Sequence, residues 1–98
     1  MSGASPLLVF FTDERSGPAR RMESLLAHLA RKERGRLRVR RVEAARHPDL
    51  VARLRVRAVP TLLLVKDRRI VERIEGRASA PRIERMIEPH VKTPARAG

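Results

Sequence analysis

Two uninterrupted apolar runs stand out in a chain that otherwise carries charged residues throughout. Residues 6–11 read PLLVFF and residues 61–65 read TLLLV, both rich in strand-forming side chains. Short continuous runs of this kind are typical of strands that a sheet buries on both faces. Residues 37–42 instead alternate apolar and arginine side chains, which predicts a strand with one charged face at a sheet edge.

Three further segments have the spacing and end signals of helices. The first is predicted to begin at Ser16, with Pro18 in its first turn, and to end at Gly35 as a C′ glycine. A short second helix begins around Pro48, and Ser79 caps a third. Their predicted inward faces are Met22, Leu25, Leu26 and Leu29 in the first, Leu50, Val51 and Leu54 in the second, and Ile83, Met86 and Ile87 in the third.

The remaining pattern predicts a hairpin. Lys66-Asp67-Arg68 reads as a tight turn into a last strand that contains Ile70, Val71 and Ile74 and ends at Gly76. The predicted order is therefore β-α-β-α-β-β-α in one domain, residues 6–91. Flexible termini are expected at residues 1–5 and 92–98.

The amino-acid composition excludes several kinds of functional site. The 98-residue chain has no cysteine, which excludes disulfides, thiolate metal sites and a cysteine nucleophile. No cofactor and no metal site are predicted, because there is neither a phosphate-binding glycine motif nor a zinc-ligand array. No apolar run reaches the roughly 18 residues of a membrane span, and no secretory signal is evident, so a cytoplasmic protein that contacts no membrane is expected.

Two motifs in this order resemble the signature points of the thioredoxin family. Thioredoxins carry a Cys-Gly-Pro-Cys turn between a core strand and its helix, where this chain has Ser16-Gly17-Pro18-Ala19. Their second signature is a cis-proline before a buried strand, where this chain has Val59-Pro60-Thr61. The spacings between these motifs and on to Gly76 match the family without an insertion.

The resemblance covers about residues 7–91 and implies the minimal thioredoxin fold. That fold is an α/β domain with a mixed four-stranded sheet and helices on both faces. The family's usual N-terminal strand and helix have no counterpart in this sequence.

The departures from the family bear on function. Both redox cysteines are replaced, by Ser16 and Ala19, and the aromatic residue that usually precedes them is Arg15. The buried carboxylate that assists proton transfer in thioredoxins would lie at Phe10, whose side chain has no ionisable group and cannot transfer a proton. Thiol–disulfide exchange needs a thiolate, so this chain alone is not expected to be an oxidoreductase, and no catalytic residue is assigned.

What the resemblance implies instead is binding. In thioredoxin-like proteins the residue before the cis-proline, here Val59, offers its backbone to an extended peptide. The implied groove consists of Arg15, Ser16, Gly17, Pro18, Val59, Pro60, Thr61 and Gly76. The expected partner is an unidentified protein or peptide, bound by a monomer or weak dimer.

Two other readings of the same turn stay open. A helix that begins at Ser16 points free N–H groups at an anion, with Arg15, Arg20 and Arg21 nearby. In glutathione transferases, which share this fold, a serine near this helix start stabilises the glutathione thiolate. This chain lacks the large helical domain of those enzymes.

The strong positive charge supports a different class of function. Twenty-three Lys and Arg against 11 Asp and Glu give a net charge of +12. Weak, nonspecific nucleic-acid binding through phosphates is the main alternative, with contacts from Arg36, Arg38, Arg40 and Arg41 along the predicted edge strand. The same arginines also suit a solvated or partner-facing surface or an acidic protein partner, and they can block edge-to-edge aggregation.

Overall fold

The computed structural model describes residues 5–91. The elements are β1 (Leu7–Thr12), α1 (Gly17–Lys32), β2 (Arg38–Glu43), α2 (Pro48–Arg53), β3 (Thr61–Lys66), β4 (Arg69–Glu75) and α3 (Ala80–Ile87). Short 3-10 turns precede α2 at Ala44–Arg46 and follow α3 at Glu88–His90. The predicted element order is confirmed, while β1 and β2 each lie one residue later than predicted.

The strands form one mixed sheet in the order β2-β1-β3-β4. β1 runs parallel to β2 and antiparallel to β3, and β3 pairs antiparallel with β4. The two continuous apolar runs are the two central strands. The arginine-rich strand β2 lies at the edge, as its alternation predicted.

The central strands lack alternation because helices cover the sheet on both faces. Side chains alternate between faces along each strand. On one face, Leu8, Phe10, Leu62, Leu64 and Ile74 of the sheet form a core with α1 and with Ile83 and Ile87 of α3. On the other face, Val9, Phe11, Val42 and Leu63 pack with α2 and with Val56, which follows it.

Strand β4 is the second edge of the sheet, and this limits its burial. All three apolar residues predicted for it lie on the strand, but only Ile74 is buried. Ile70 and Val71 are 39% and 37% exposed. The turn before β4 has Asp67 and Arg68 at φ 52° and 66°, the left-handed pair of a tight two-residue hairpin.

The end of α1 differs in detail from the prediction. The C-cap residue is Glu33, and Gly35 lies two positions beyond it at φ +85°. The amides of Arg36 and Leu37 donate to the Glu33 carbonyl, so a further turn separates the helix from β2. The glycine therefore shapes this turn rather than ending the helix directly.

The termini predicted to be flexible lie largely outside the described residues, at 1–4 and 92–98. Ser5, the first described residue, has its hydroxyl oxygen 3.4 Å from the carbonyl oxygen of Gly35. Along residues 5–91, every helix is too short or too polar to cross a membrane.

Candidate functional site

The turn between β1 and α1 is organised by Asp13. The Ser16 amide donates to the Asp13 carbonyl at 2.8 Å, and the Arg15 amide donates to Asp13 Oδ1 at 2.9 Å. An aspartate side chain that bonds to the backbone two residues ahead is a common way to fix a turn. Arg15 is exposed on this turn.

Ser16 begins α1 as its N-cap, as predicted. Its backbone is extended, at φ −89° and ψ 115°, and its Oγ accepts a 3.1 Å hydrogen bond from the Ala19 amide. Ala19 is fully buried, Gly17 is exposed and Pro18 is half-buried. The motif therefore anchors the helix with Ala19 and leaves Gly17 facing solvent.

The arginines of the first helical turn lie beside this motif. A Cβ placed on Gly17 would be 3.8 Å from Nη1 of Arg21, so this guanidinium is next to the helix N-terminus. Arg20 lines a shallow depression with Glu14, Glu23 and Arg41. Arg20 thus shares its depression with two carboxylates, whereas Arg21 reinforces the positive end of the helix dipole.

The second half of the site is the Val59–Pro60 loop before β3. The Val59–Pro60 peptide bond is cis, and Pro60 is buried. Thr61 Oγ1 donates to the Ala58 carbonyl at 2.7 Å, and the Gly76 amide donates to the Pro60 carbonyl at 2.8 Å. The loop is therefore held on both sides of the proline.

Sheet register brings these segments to one end of the fold. Phe11 is paired with Thr61, and Thr61 with Glu75. The β1–α1 turn lies just beyond Phe11, the Val59–Pro60 loop lies just before Thr61, and Gly76 follows Glu75. The residues predicted to form a groove thus lie at the same end of the sheet.

Val59 itself has free hydrogen-bonding groups. Its side chain packs against the core beneath α1 and α3. Across residues 5–91, neither its N–H nor its carbonyl makes a hydrogen bond. An extended segment placed beside the loop could pair with both groups, as a strand does at a sheet edge.

The groups at this end of the sheet differ from those of a redox-active thioredoxin site. The chain has no thiol. Phe10, at the position where thioredoxins carry a carboxylate, is 2% exposed and packs in the core. In the first turn of α1, Ser16 Oγ accepts the Ala19 amide, the Ser16 carbonyl accepts the Arg20 amide, and Pro18 has no N–H. Within residues 5–91, the Gly17 amide is therefore the N–H of this turn that is left without a partner.

The arginines of the β2 edge are less free than the sequence suggested. Arg41 Nε lies 3.0 Å from Glu23 Oε2, and its Nη2 lies 3.3 Å from Glu43 Oε1. The hydrogen bond and charge of Glu23 raise the pKa of Arg41 above its ordinary value. Arg36 pairs with Glu33 at 3.3 Å. Two of the four predicted phosphate contacts are thus already paired with carboxylates.

Several partnerships were not foreseen from the sequence. Glu43 Oε2 accepts the Glu14 amide at 3.1 Å, so the carboxylate that pairs with Arg41 also holds the β1–α1 turn. His90 is half-buried, with Nε2 3.0 Å from Glu72 Oε2. No local sequence pattern indicates either contact, because each depends on how separate elements pack.

Residues that could hold a metal are not clustered in the described part of the chain.

Comparisons with known proteins agree with the fold. The family model described as Thioredoxin matches residues 1–89. A thioredoxin-like protein of Synechocystis is 30% identical over 83 residues, covering 85% of this chain and 76% of the relative. Thioredoxin 1 of Nostoc is 24% identical, covering 88% and 80%. A solved mutant thioredoxin of Halobacterium salinarum has a TM-score of 0.83 at 25% identity, covering 93% of this chain and 79% of that one.

Proposed function

The chain belongs to the thioredoxin family, and we propose that it is a redox-inactive member that binds an extended segment of a partner protein. The proposed binding groove joins the β1–α1 turn, at Ser16, Gly17 and Pro18, to the Val59–Pro60 loop. The absence of cysteine is consistent with redox inactivity, because thiol–disulfide exchange requires a thiolate.

The observation that carries this proposal is the pair of free backbone groups on Val59 within residues 5–91. The loop around them is fixed, since Thr61 bonds to Ala58 and Gly76 bonds to Pro60. A rigid loop with a free donor and a free acceptor loses little conformational entropy when a strand pairs with it. This arrangement supports recognition of a peptide backbone.

The electrostatics favour acidic groups in the bound segment. The N-terminus of α1 carries a partial positive charge, and Arg15 and Arg21 lie beside it. A carboxylate placed close to Gly17 would meet the helix N-terminus and these guanidinium groups. We therefore expect the partner to present an extended segment with an acidic side chain near the β1–α1 turn.

The test uses a substitution that fills the groove without straining the fold. Gly17 is exposed, and a side chain there meets only the flexible end of Arg21. Gly17→Phe should abolish selection of peptides from a random displayed heptapeptide library. Ser24→Phe, at an exposed site on the same helix, should keep it.

The readout distinguishes this groove from other surfaces. A selected peptide added to the wild type should shift the amide resonances of Val59 and Gly76. In a lysate of the source organism, the wild type and Ser24→Phe should capture one and the same partner protein, and Gly17→Phe should fail to capture it. Equal capture by all three proteins would contradict the proposal.

Nucleic-acid binding through the β2 edge is the second candidate, and the exposure of Arg38 and Arg40 favours it. It predicts binding that weakens steeply with salt, because phosphate contacts release counterions. It also predicts that Gly17→Phe leaves binding intact and that Arg38→Glu with Arg40→Glu removes it. The two candidates therefore respond to different substitutions.

A further inference from the structure

Among residues 5–91, no strand pairs with the outer side of β2. The Arg38 amide donates to the Pro6 carbonyl at 3.0 Å, so the backbone of Arg38 faces β1. Because the direction alternates along a strand, Arg40 also faces β1, while the N–H and carbonyl groups of Val39 and Arg41 face outward. β2 is the terminal strand of the sheet, so these outward groups form an open edge.

An apolar cavity lies directly beside this edge, on the face covered by α1. Its volume is about 340 Å³. It lies between β2 and α1 and is lined by five apolar residues, Phe10, Leu26, Ala27, Ala30 and Val39, together with Glu23 and Arg41. The charged groups of Glu23 and Arg41 lie 3.0 Å apart and offset each other, so the lining is apolar apart from one ion pair.

The opposite face of the same edge is cationic. Arg38 and Arg40 alternate with Val39 and are both exposed. Arg38 Nη2 donates to the Ser5 carbonyl at 3.0 Å, and no carboxylate of residues 5–91 forms a salt bridge with it. Within residues 5–91, Arg40 makes no salt bridge. The edge is therefore apolar on one face and positive on the other.

We propose that this edge binds an extended acidic–apolar segment of a partner protein as a fifth strand. Side chains of directly paired residues lie on the same face of a sheet. An apolar residue of the segment opposite Val39 would enter the cavity beside α1. The residues on either side of it would lie next to Arg38 and Arg40 and would carry carboxylates.

Charge selects this occupant over a second copy of the chain. Two β2 edges paired with each other would bring Arg38 and Arg40 of both copies together, and like charges directly opposite are destabilising. An acidic strand meets the same arginines favourably. This surface is separate from the Val59–Pro60 groove, and the proposal does not depend on that groove being used.

The probe is a fluorescent, capped heptapeptide of sequence Ser-Glu-Val-Glu-Val-Glu-Ser, titrated into the intact protein. A peptide of the same composition with the glutamates and valines in separate blocks is the control. The alternating peptide should bind at least about tenfold more tightly. Only in this peptide can the glutamates all face Arg38 and Arg40 while the valines face the side of the cavity. Equal affinity for the two peptides would overturn the proposal.

Protein variants test the two faces separately. Arg38→Glu with Arg40→Glu should weaken binding of the alternating peptide roughly tenfold. Arg69→Glu, at an exposed position on the opposite edge strand, should leave it within about twofold. Ala27→Gln should fill the cavity and weaken binding, while Ser24→Gln on the same helix should not. Unchanged affinity both in Arg38→Glu with Arg40→Glu and in Ala27→Gln would overturn the proposal.

N-methylated probes test the backbone pairing. One probe carries methyl groups on the valine amides and another on the glutamate amides. In strand addition only one of these sets faces β2, so one probe should lose binding and the other should keep it. Equal behaviour of the two would exclude a fifth strand. A single-stranded oligonucleotide that binds through Arg38 and Arg40 while the peptide does not would overturn the proposal in favour of phosphate recognition.

Discussion

The backbone amide of Gly76 donates a 2.8 Å hydrogen bond to the carbonyl oxygen of Pro60. This bond joins the residue that follows β4 to the residue that precedes β3, immediately beyond the paired Thr61 and Glu75. Gly76 makes the bond at φ +88°, where a side chain is strained. The position of the Val59–Pro60 loop thus depends on the glycine that follows β4.

Replacing this glycine should weaken the fold. Gly76→Ala is expected to lower the free energy of unfolding by about 1 kcal/mol, because alanine tolerates a left-handed φ poorly. Urea denaturation monitored by circular dichroism measures the change. Gly17→Ala is the matched control, since its added Cβ has space and lies in the first turn of a helix. It should leave stability unchanged or raise it, and equal losses in both variants would contradict this explanation.

A thiol placed at the N-cap of α1 should be acidic. Ser16 Oγ accepts the Ala19 amide, and a thiolate at that atom would accept the same bond. In Ser16→Cys, the helix N-terminus and neighbouring arginines should therefore lower the pKa of the new thiol below its ordinary value. The pH dependence of iodoacetamide alkylation measures it. Ser24→Cys, away from the helix N-terminus, should titrate normally, and identical profiles would show that the end of α1 does not stabilise anions.

Features set by local pattern could be predicted from the sequence. The apolar runs became the central strands, and Ser16 and Ser79 cap their helices with hydrogen bonds to Ala19 and Arg82. Each of these depends on residues close together in the chain. The two family motifs then indicated which end of the sheet carries the candidate site, because their spacing matched the family without an insertion.

Features that depend on packing between elements could not be predicted. Arg41 looked like a free cation, but Glu23 reaches it from α1 and Glu43 from its own strand. Ile70 looked like an ordinary strand residue, but its place on an edge strand leaves it exposed. Sequence patterns show which side chains are charged or apolar, whereas their partners depend on sheet order and helix position.

Arg73 should stabilise the end of α2. Its Nη2 donates to the Leu54 carbonyl at 2.8 Å and its Nη1 to the Arg55 carbonyl at 3.2 Å. These carbonyls lie just past the helix, where a cation also meets the negative end of the dipole. Arg73→Met, which keeps much of the aliphatic stem, should lower the free energy of unfolding by about 1 kcal/mol.

Substitutions at Arg73 and Glu75 distinguish the contribution of the hydrogen bonds from that of the ion pair. Arg73→Lys should fall between the wild type and Arg73→Met, because an ammonium group cannot reproduce the planar two-nitrogen contact. Glu75→Gln removes only the 3.7 Å ion pair with Arg73 and should cost less than about 0.5 kcal/mol. Hydrogen exchange at the Val56 amide, which bonds to the Val51 carbonyl, should quicken in Arg73→Met alone. A larger loss in Glu75→Gln than in Arg73→Met would refute this role.

Two buried threonines should respond in opposite directions to the same substitution. Thr12 and Thr61 are both fully buried at the end of the sheet that carries the candidate site. In the described structure Thr12 Oγ1 has no hydrogen-bond partner, whereas Thr61 Oγ1 donates to the Ala58 carbonyl at 2.7 Å. Thr12→Val should raise the free energy of unfolding by about 1 kcal/mol, because it removes an unsatisfied buried hydroxyl. Thr61→Val should lower it by about 1 kcal/mol, because it breaks a bond that holds the Val59–Pro60 loop. Urea denaturation of the two variants measures both changes, and a loss of stability in Thr12→Val would mean that its hydroxyl is satisfied in solution.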